Sequence, residues 1–171
     1  MKLNLGSGDS KFSRFTSVDL YDEKADVKAD ICELPFEDAS VSEIVAYQVV
    51  EHIPYQKSGK MFAEMYRVLE KGGTAIFETP DIEFIAQDIV TNNGEMQDKW
   101  IHSLVGEYYR PWDKDRYEDW ENCAAAIHRN PWTFNRVVRT CRPLGFQVER
   151  LPWQDSQIKV EENMCVKLTK Q

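Results

Sequence analysis

The chain has 171 residues and a formal net charge of −8 at pH 7, a length that fits a single domain with a sizeable core. The acidic balance argues against a nucleic-acid backbone as the main partner, because phosphate contacts need a basic face. No apolar run approaches the ~20 residues that cross a bilayer and no signal peptide is recognisable, so we expect a cytoplasmic protein with no membrane partner.

The first half of the chain alternates short apolar runs with turns. This pattern predicts strands at residues 3–5, 15–20, 26–29, 44–47 and 74–79. An amphipathic helix is predicted from Lys57 to Leu69, and Lys71-Gly72-Gly73 is expected to end it, since glycine commonly follows a helix. Strands that alternate with connections in this way indicate a parallel sheet with right-handed crossovers.

The connection between the first two strands is unusually short. Only nine residues separate the first predicted strand from the second, whereas a helical crossover takes a dozen or more. We therefore predict that the first helix is missing or reduced to one turn.

The second half is less regular. Residues 82–95 are predicted to be helical, and residues 133–144 form a second predicted helix that ends before Gly145. Runs at 146–151 and 164–168 are predicted to be closing strands. Between the helices, at about 96–132, an aromatic-rich segment without a clean period predicts an insertion or lid within a single domain of residues 1–171.

The opening residues carry the first functional signal. Gly6-Ser7-Gly8 follows a short apolar run, which is typical of a buried strand that enters a tight turn. Asp19 ends the next apolar run, and an acidic residue in this position of α/β folds holds the hydroxyls of a ribose. The combination indicates a nucleoside-containing ligand, although a plain strand-ending turn with Asp19 bound to nearby backbone is the alternative.

Cysteine and arginine patterns add little chemistry. The four cysteines (Cys32, Cys123, Cys141 and Cys165) are widely spaced and lack histidines at ligand spacing. We therefore predict buried free thiols and expect no metal site. The one basic cluster comprises Arg129, Arg136, Arg139 and Arg142, and a solvated helix face is its favoured interpretation.

A longer series of motifs resembles the class I S-adenosylmethionine-dependent methyltransferases. After the glycine turn come Val18-Asp19, then residues 29–36 (Ala-Asp-Ile-Cys-Glu-Leu-Pro-Phe), residues 49–53 (Val-Val-Glu-His-Ile) and residues 67–73 (Arg-Val-Leu-Glu-Lys-Gly-Gly). More narrowly, the chain is similar to a compact subgroup with a shortened first helix and a histidine before the last helix, here His128. The resemblance implies a Rossmann-like, doubly wound and mostly parallel sheet with an antiparallel C-terminal strand.

The resemblance also implies roles for individual residues. Gly6, Ser7 and Gly8 would pass against the methionine part of S-adenosylmethionine, and Asp19 would accept from both ribose hydroxyls. Asp30 would accept from the adenine amino group.

Four further side chains would complete this site. Leu20 and Ile31 would be apolar walls against the adenine ring, and Gln48 would face the same crevice. Asn4 stands where the family usually has an acidic residue that helps hold the methionine amino group, so it can accept a hydrogen bond but lacks the charge.

Methyl transfer to a hydroxyl requires removal of a proton, which a histidine can accept. His52, at the end of the fourth strand, and His128 are the two candidates, although His52 can equally serve only to bind a neighbouring loop. The aromatic segment would form the pocket for a small-molecule or sugar acceptor, or else pack over the sheet or in a homodimer contact.

A methyltransferase is therefore the predicted function. The alternative is a non-catalytic S-adenosylmethionine-binding regulatory or scaffold protein. A nicotinamide dehydrogenase fits less well, since the third glycine of the loop and the helix that would receive a pyrophosphate are missing.

Overall fold

The computed structural model describes residues 1–8, 10–91, 128–152 and 162–171. Seven strands form one sheet: β1 (Lys2–Leu5), β2 (Thr16–Asp19), β3 (Val27–Lys28), β4 (Val41–Tyr47), β5 (Leu69–Pro80), β6 (Phe146–Leu151) and β7 (Asn163–Lys170). The described residues also contain three α-helices: α1 (Ser58–Val68), α2 (Ile82–Thr91) and α3 (Phe134–Cys141). None of these helices is long and apolar enough to cross a membrane.

The strand order is β3-β2-β1-β4-β5-β7-β6. The first five strands are mutually parallel, whereas β7 runs antiparallel to both β5 and β6. This confirms the predicted Rossmann-like class with an antiparallel C-terminal strand. Strand β1 lies between β2 and β4. The connections that follow β1 and β4 leave the sheet in opposite directions, and a crevice is expected between them.

The core explains why the apolar runs became strands. Leu3 and Leu5 on β1, Val18 on β2 and Ile44 on β4 are fully buried. Leu3 pairs in register with Ile44, so apolar side chains from neighbouring strands stack on the same face of the sheet.

Between β1 and β2, the described residues of the connection, which exclude Asp9, contain no helix. The prediction of a missing first helix therefore agrees with the structure over these residues. The glycine turn passes directly to β2, with Gly6 N donating to Val18 O at 2.8 Å.

The predicted helix end is confirmed to within one residue, but the fifth strand begins at Leu69 and not at residue 74. Helix α1 ends at Val68, four residues before Gly72, and Leu69 already belongs to β5. The ladder between β4 and β5 shifts its register between Val41 and Glu43, so residues 70–73 form an irregularity in which Gly72 has a φ of +80°. The glycine pair lies in this irregularity, where Gly72 adopts the left-handed backbone conformation that favours glycine.

The segment that connects α2 to α3 is described only from His128 onward. The predicted insertion or lid at about 96–132 therefore lies mostly outside the described residues, as does the end of the helix predicted at 82–95. Residues 128–132 are well anchored: Trp132 is fully buried, and its indole Nε1 donates to Val50 O at 3.2 Å.

Three of the four cysteines lie in the described part of the chain. Cys32, Cys141 and Cys165 are buried and in no disulfide within the described part of the chain, as predicted. Burial and the neighbouring Asp30 raise the pKa of Cys32 to about 11, so this thiol is not a reactive thiolate at neutral pH. Cys123 lies outside the described residues.

Candidate functional site

An open crevice of about 570 Å³ lies at the carboxyl ends of β1, β2 and β4, a volume within the usual range for small-molecule sites. It brings together eight of the residues singled out in the sequence. These are Gly6, Gly8, Asp19, Leu20, Asp30, Ile31, Gln48 and His52.

The two glycines shape one wall of the crevice in different ways. Gly6 has a φ of +60°, and a Cβ on it would lie 2.5 Å from Val49 Cγ2. Gly8 has a φ of +46°, but a Cβ there would meet nothing within 4 Å. Gly6 is therefore required by internal packing, whereas the space beside Gly8 is open to a ligand.

Asp19 is held rigidly at the end of β2. Its Oδ2 accepts from Gly8 N at 3.0 Å, while Oδ1 accepts from Tyr21 N at 2.8 Å and from Asp22 N at 3.0 Å. Asp19 therefore has the turn-forming role that the sequence left open as an alternative. Two carboxylate oxygens offer about four acceptor positions, so Asp19 keeps capacity for a ligand in the crevice.

Asp30 lies farther along the same crevice. Its Oδ1 accepts from Cys32 N at 2.9 Å, and its Oδ2 lies 3.4 Å from Lys57 Nζ. Burial alone would raise the pKa of this carboxyl, but the Cys32 amide and the Lys57 charge lower it below the usual range. Asp30 is therefore an ionised acceptor at neutral pH.

Gln48 follows β4 in a strained conformation. Its φ is +55°, and its backbone N donates to Glu78 O at 2.9 Å. Its side-chain Nε2 is buried and has no hydrogen-bond partner among the residues that the structure describes. A buried amide without a partner is costly, and a polar ligand in the crevice would remove that cost.

Three ionisable side chains meet at one end of the crevice, and we call them the Glu51–His52–His128 cluster. The rings of His52 and His128 are edge to face with centroids 4.9 Å apart, and His128 Nε2 lies 3.9 Å from Glu51 Oε1. Thr79 Oγ1 donates to Glu51 Oε2 at 3.0 Å. Burial raises the pKa of Glu51 to about 8.

Three predicted site residues do not line the crevice. Asn4 is buried, and its Nδ2 donates to Ser10 O at 2.8 Å, so it supports the glycine turn from inside. Ser7 is also buried, and its Oγ has no hydrogen-bond partner within the described ranges. His128 lies behind His52, beside a smaller cavity that Thr79 and Ile85 also line.

Sequence reasoning missed two cationic residues of the crevice, Lys57 and Arg129. Arg129 had been grouped with Arg136 on one helix face, which is wrong because α3 begins only at Phe134. Its backbone N instead donates to Glu51 O at 2.8 Å. Only its position next to His128 could have indicated that it belongs to the site.

Comparisons with known proteins agree with this geometry. The family profile described as "Methyltransferase domain" matches residues 5–77, the part that supplies most of the crevice. No curated protein matches the sequence.

Solved structures match almost the whole chain. A SAM-dependent methyltransferase from Archaeoglobus fulgidus is 15% identical with a TM-score of 0.62, over 99% of this chain and 85% of that one. A SAM-dependent methyltransferase from Thermotoga maritima, described as a possible histamine N-methyltransferase, is 14% identical with a TM-score of 0.60, over 99% and 82%.

A third structure was solved with a bound product of the cofactor. It is the 1,6-didemethyltoxoflavin-N1-methyltransferase of Burkholderia thailandensis with S-adenosylhomocysteine, 14% identical with a TM-score of 0.55, over 99% of this chain and 70% of that one. At such identities these structures establish the fold, while the profile match covers the glycine turn, Asp19 and Asp30. Taken together, the chain matches a methyltransferase-domain profile over residues 5–77 and shares the fold of S-adenosylmethionine-dependent methyltransferases.

Proposed function

We propose that the protein transfers the methyl group of S-adenosylmethionine to a small-molecule or sugar acceptor, with the cofactor in the crevice described above. The observation that carries the proposal is that two carboxyl side chains, Asp19 and Asp30, line one crevice at the end of a parallel sheet. Ligands of such sheets bind outside the carboxyl ends of the strands, where the connections diverge.

The residues present fit this cofactor. Asp19 would accept from the two ribose hydroxyls in a charge-assisted contact, since its backbone donors leave acceptor positions unused. Asp30 would accept from the adenine amino group, with Leu20 and Ile31 as apolar walls. Ile31 is 5% exposed, so this wall is already packed into the protein. Leu20 is 41% exposed, and the bound ligand would cover it.

The methionine end would lie along Gly6 and Gly8, and Gln48 would donate its buried Nε2 to the ligand. Asn4 would act indirectly by supporting the glycine turn from behind, and Ser7 would act as part of that turn. When bound, the cofactor supplies a methyl group on a positively charged sulfur, a good leaving group, so the chain's main task is to align the acceptor and exclude water.

His52 and His128 are the proposed proton acceptors. His52 lines the crevice and His128 packs edge to face against it, so His52 is placed to take a proton from an acceptor hydroxyl and His128 lies directly beside it. Such general-base assistance contributes about 100- to 10,000-fold in rate.

The proposed acceptor is a small molecule or a sugar. The relatives from T. maritima and B. thailandensis carry names of small-molecule methyltransferases, which supports the same class here. The aromatic segment predicted at about 96–132 would contribute the acceptor pocket within a single domain. Of this segment the structure describes residues 128–132.

The proposal is tested in two stages with the full chain. Calorimetric titration with S-adenosylmethionine and with S-adenosylhomocysteine should show saturable 1:1 binding of each, whereas NADH should give no saturable heat. Protein loaded with radiolabelled methyl donor is then incubated with panels of small phenols, amines and sugars, and label transfer is measured.

Absence of binding of both sulfur nucleotides would overturn the proposed site. Transfer of label to a small molecule or sugar would support the acceptor class, and transfer exclusively to protein or RNA would contradict it. Tight binding without transfer to any panel member would favour the non-catalytic binding protein.

A further inference from the structure

The Glu51–His52–His128 cluster has the composition of a metal site. One ligand atom from each residue can be chosen such that all three lie within 4.8 Å of one another. Two of these residues follow β4, and the third comes from the segment before α3, so the fold brings together groups that are distant in the chain. Imidazole nitrogens with one carboxylate are typical ligands of Zn²⁺ and other first-row transition metals, whereas Mg²⁺ and Ca²⁺ prefer oxygen ligands.

A second observation points to a missing partner at this place. Glu51 is 1% exposed, and its Oε1 has no hydrogen-bond partner among the described residues. The 3.9 Å to His128 Nε2 exceeds hydrogen-bond distance. The other oxygen is already held by Thr79, so the unpartnered Oε1 is fixed in place 3.9 Å from His128 Nε2. A buried carboxylate oxygen without a donor calls for a compensating group such as an ion.

The distances allow coordination after a small adjustment. Ligand atoms at about 2.0–2.2 Å from a tetrahedral Zn²⁺ are separated by roughly 3.4 Å. The separation of Glu51 Oε1 and His128 Nε2 is therefore within about half an ångström of that geometry, and one ligand atom of each of the three residues lies within 4.8 Å of the others. A fourth position would face the crevice, because His52 lines it.

We propose that Glu51, His52 and His128 bind one divalent transition-metal cation, with Zn²⁺ as the best-matched probe, and leave a coordination position open toward the crevice. Binding of the ion does not depend on methyl transfer. If the proposed function holds, an acceptor hydroxyl at the open position would lose its proton more easily. In the loaded protein the coordinated imidazole nitrogens would then be ligands, and they would act as bases only in the metal-free protein.

The experiment measures metal binding by the full chain. Protein stripped with a chelator is titrated with Zn²⁺ and separately with Mg²⁺, and bound zinc is quantified by elemental analysis after gel filtration. We expect one Zn²⁺ per chain and far weaker binding of Mg²⁺. Glu51→Gln and His128→Ala should each weaken Zn²⁺ binding by about 100-fold or more, since each removes a ligand.

Two controls separate this site from other sources of zinc binding. His102→Ala removes the remaining histidine of the sequence, and Cys32→Ala removes the buried thiol nearest in the crevice wall. Both variants should bind Zn²⁺ like the parent. Binding of S-adenosylhomocysteine by every variant verifies that each one is folded.

The outcomes are distinct for the two proposals. A parent protein that binds S-adenosylhomocysteine but no Zn²⁺, or Zn²⁺ binding that survives Glu51→Gln and His128→Ala, would overturn the metal site and leave the proposed function intact. Zn²⁺ binding at 1:1 without nucleotide binding would support the metal site and contradict the proposed function.

Discussion

The backbone N–H of Gly8 donates to the Oδ2 atom of Asp19 at 3.0 Å. This bond joins the turn after β1 to the carboxyl end of β2, across the place where a helix would stand in a longer connection. The residue proposed to bind the ribose is therefore also the residue that fixes the glycine turn. Any substitution of Asp19 acts on both, and a pair of variants is needed to separate the effects.

Asp19→Ala should weaken S-adenosylhomocysteine binding by about 2–4 kcal/mol, because hydrogen bonds to a charged acceptor are lost and the turn loses its anchor. Asp19→Asn retains one acceptor oxygen and should lose less affinity. Calorimetric titration of both variants gives the dissociation constants, and thermal unfolding reports on the turn itself. An unchanged dissociation constant in Asp19→Ala would eliminate the proposed ribose contact.

Gly6→Ala and Gly8→Ala form a matched pair. At Gly6 the new Cβ would collide with Val49 in a left-handed backbone, so we expect a loss of about 2–4 kcal/mol in unfolding free energy. At Gly8 the Cβ meets open space, so the loss should be about 1–2 kcal/mol from the backbone alone. Chemical denaturation measures both.

Nucleotide binding should rank these two variants in the opposite order from stability. Gly8→Ala projects its methyl group into space proposed for the ligand. The loss in the free energy of nucleotide binding should therefore exceed the loss in the free energy of unfolding. Adding Val49→Ala to Gly6→Ala should restore part of the lost stability, since it removes the two γ-methyl groups in contact. Equal stability losses at the two glycines would contradict the packing argument.

Arg67 on α1 links the helix to the chain that carries Asp30. It donates to Leu34 O and Phe36 O, and it forms a bidentate pair with Glu64. The bond from Arg67 lowers the pKa of Glu64 below its ordinary value of 4.5. When folding lowers the pKa of a carboxyl group, the ionised group stabilises the fold at pH values above its pKa in the unfolded chain. This contribution is lost as the pH falls through the pKa of the group in the folded protein.

The free energy of unfolding should therefore decline from about pH 4.5 downward, and less steeply in Glu64→Gln than in the parent. Urea denaturation at a series of acidic pH values measures the two slopes. Arg67→Met should cost about 1–3 kcal/mol near neutral pH, because charged hydrogen bonds to Glu64 and to two carbonyls are lost. Parallel slopes for parent and Glu64→Gln would refute the assigned ion pair.

His52→Ala and His128→Ala test the chemistry once an acceptor is known. Each should lower kcat by about 100-fold or more while leaving nucleotide binding nearly unchanged, since neither ring is assigned to hold the cofactor. His52 lines the crevice and should show the larger effect. Wild-type kcat in both variants would remove the two histidines from the reaction.

The sequence predicted the sheet because its strands are short apolar runs whose order and connections leave few topologies. Gly6 and Asp19 were predictable as neighbours, since strand ends of a parallel sheet meet at one edge. The role of Gly72 and Gly73 as a helix stop was mispredicted, because a glycine pair marks an irregular strand as readily as the end of a helix. Local signals at this position do not distinguish the two.

The other end of the crevice was not predictable in detail. Glu51, His52 and His128 come together through tertiary packing, with Arg129 N bonded to Glu51 O and Trp132 Nε1 bonded to Val50 O. No spacing in the sequence encodes that contact. The expectation of no metal site came from ligand spacing alone, which detects sites within one segment and not between two distant ones.

A crystal structure of the full chain with bound S-adenosylhomocysteine tests the central claim most directly. We expect both ribose hydroxyls within hydrogen-bond distance of the Asp19 carboxylate and the adenine ring between Leu20 and Ile31. The sulfur atom should lie near Gln48, on the side of His52. The nucleotide bound outside this crevice, or bound in it with adenine at the His52 end, would contradict the account.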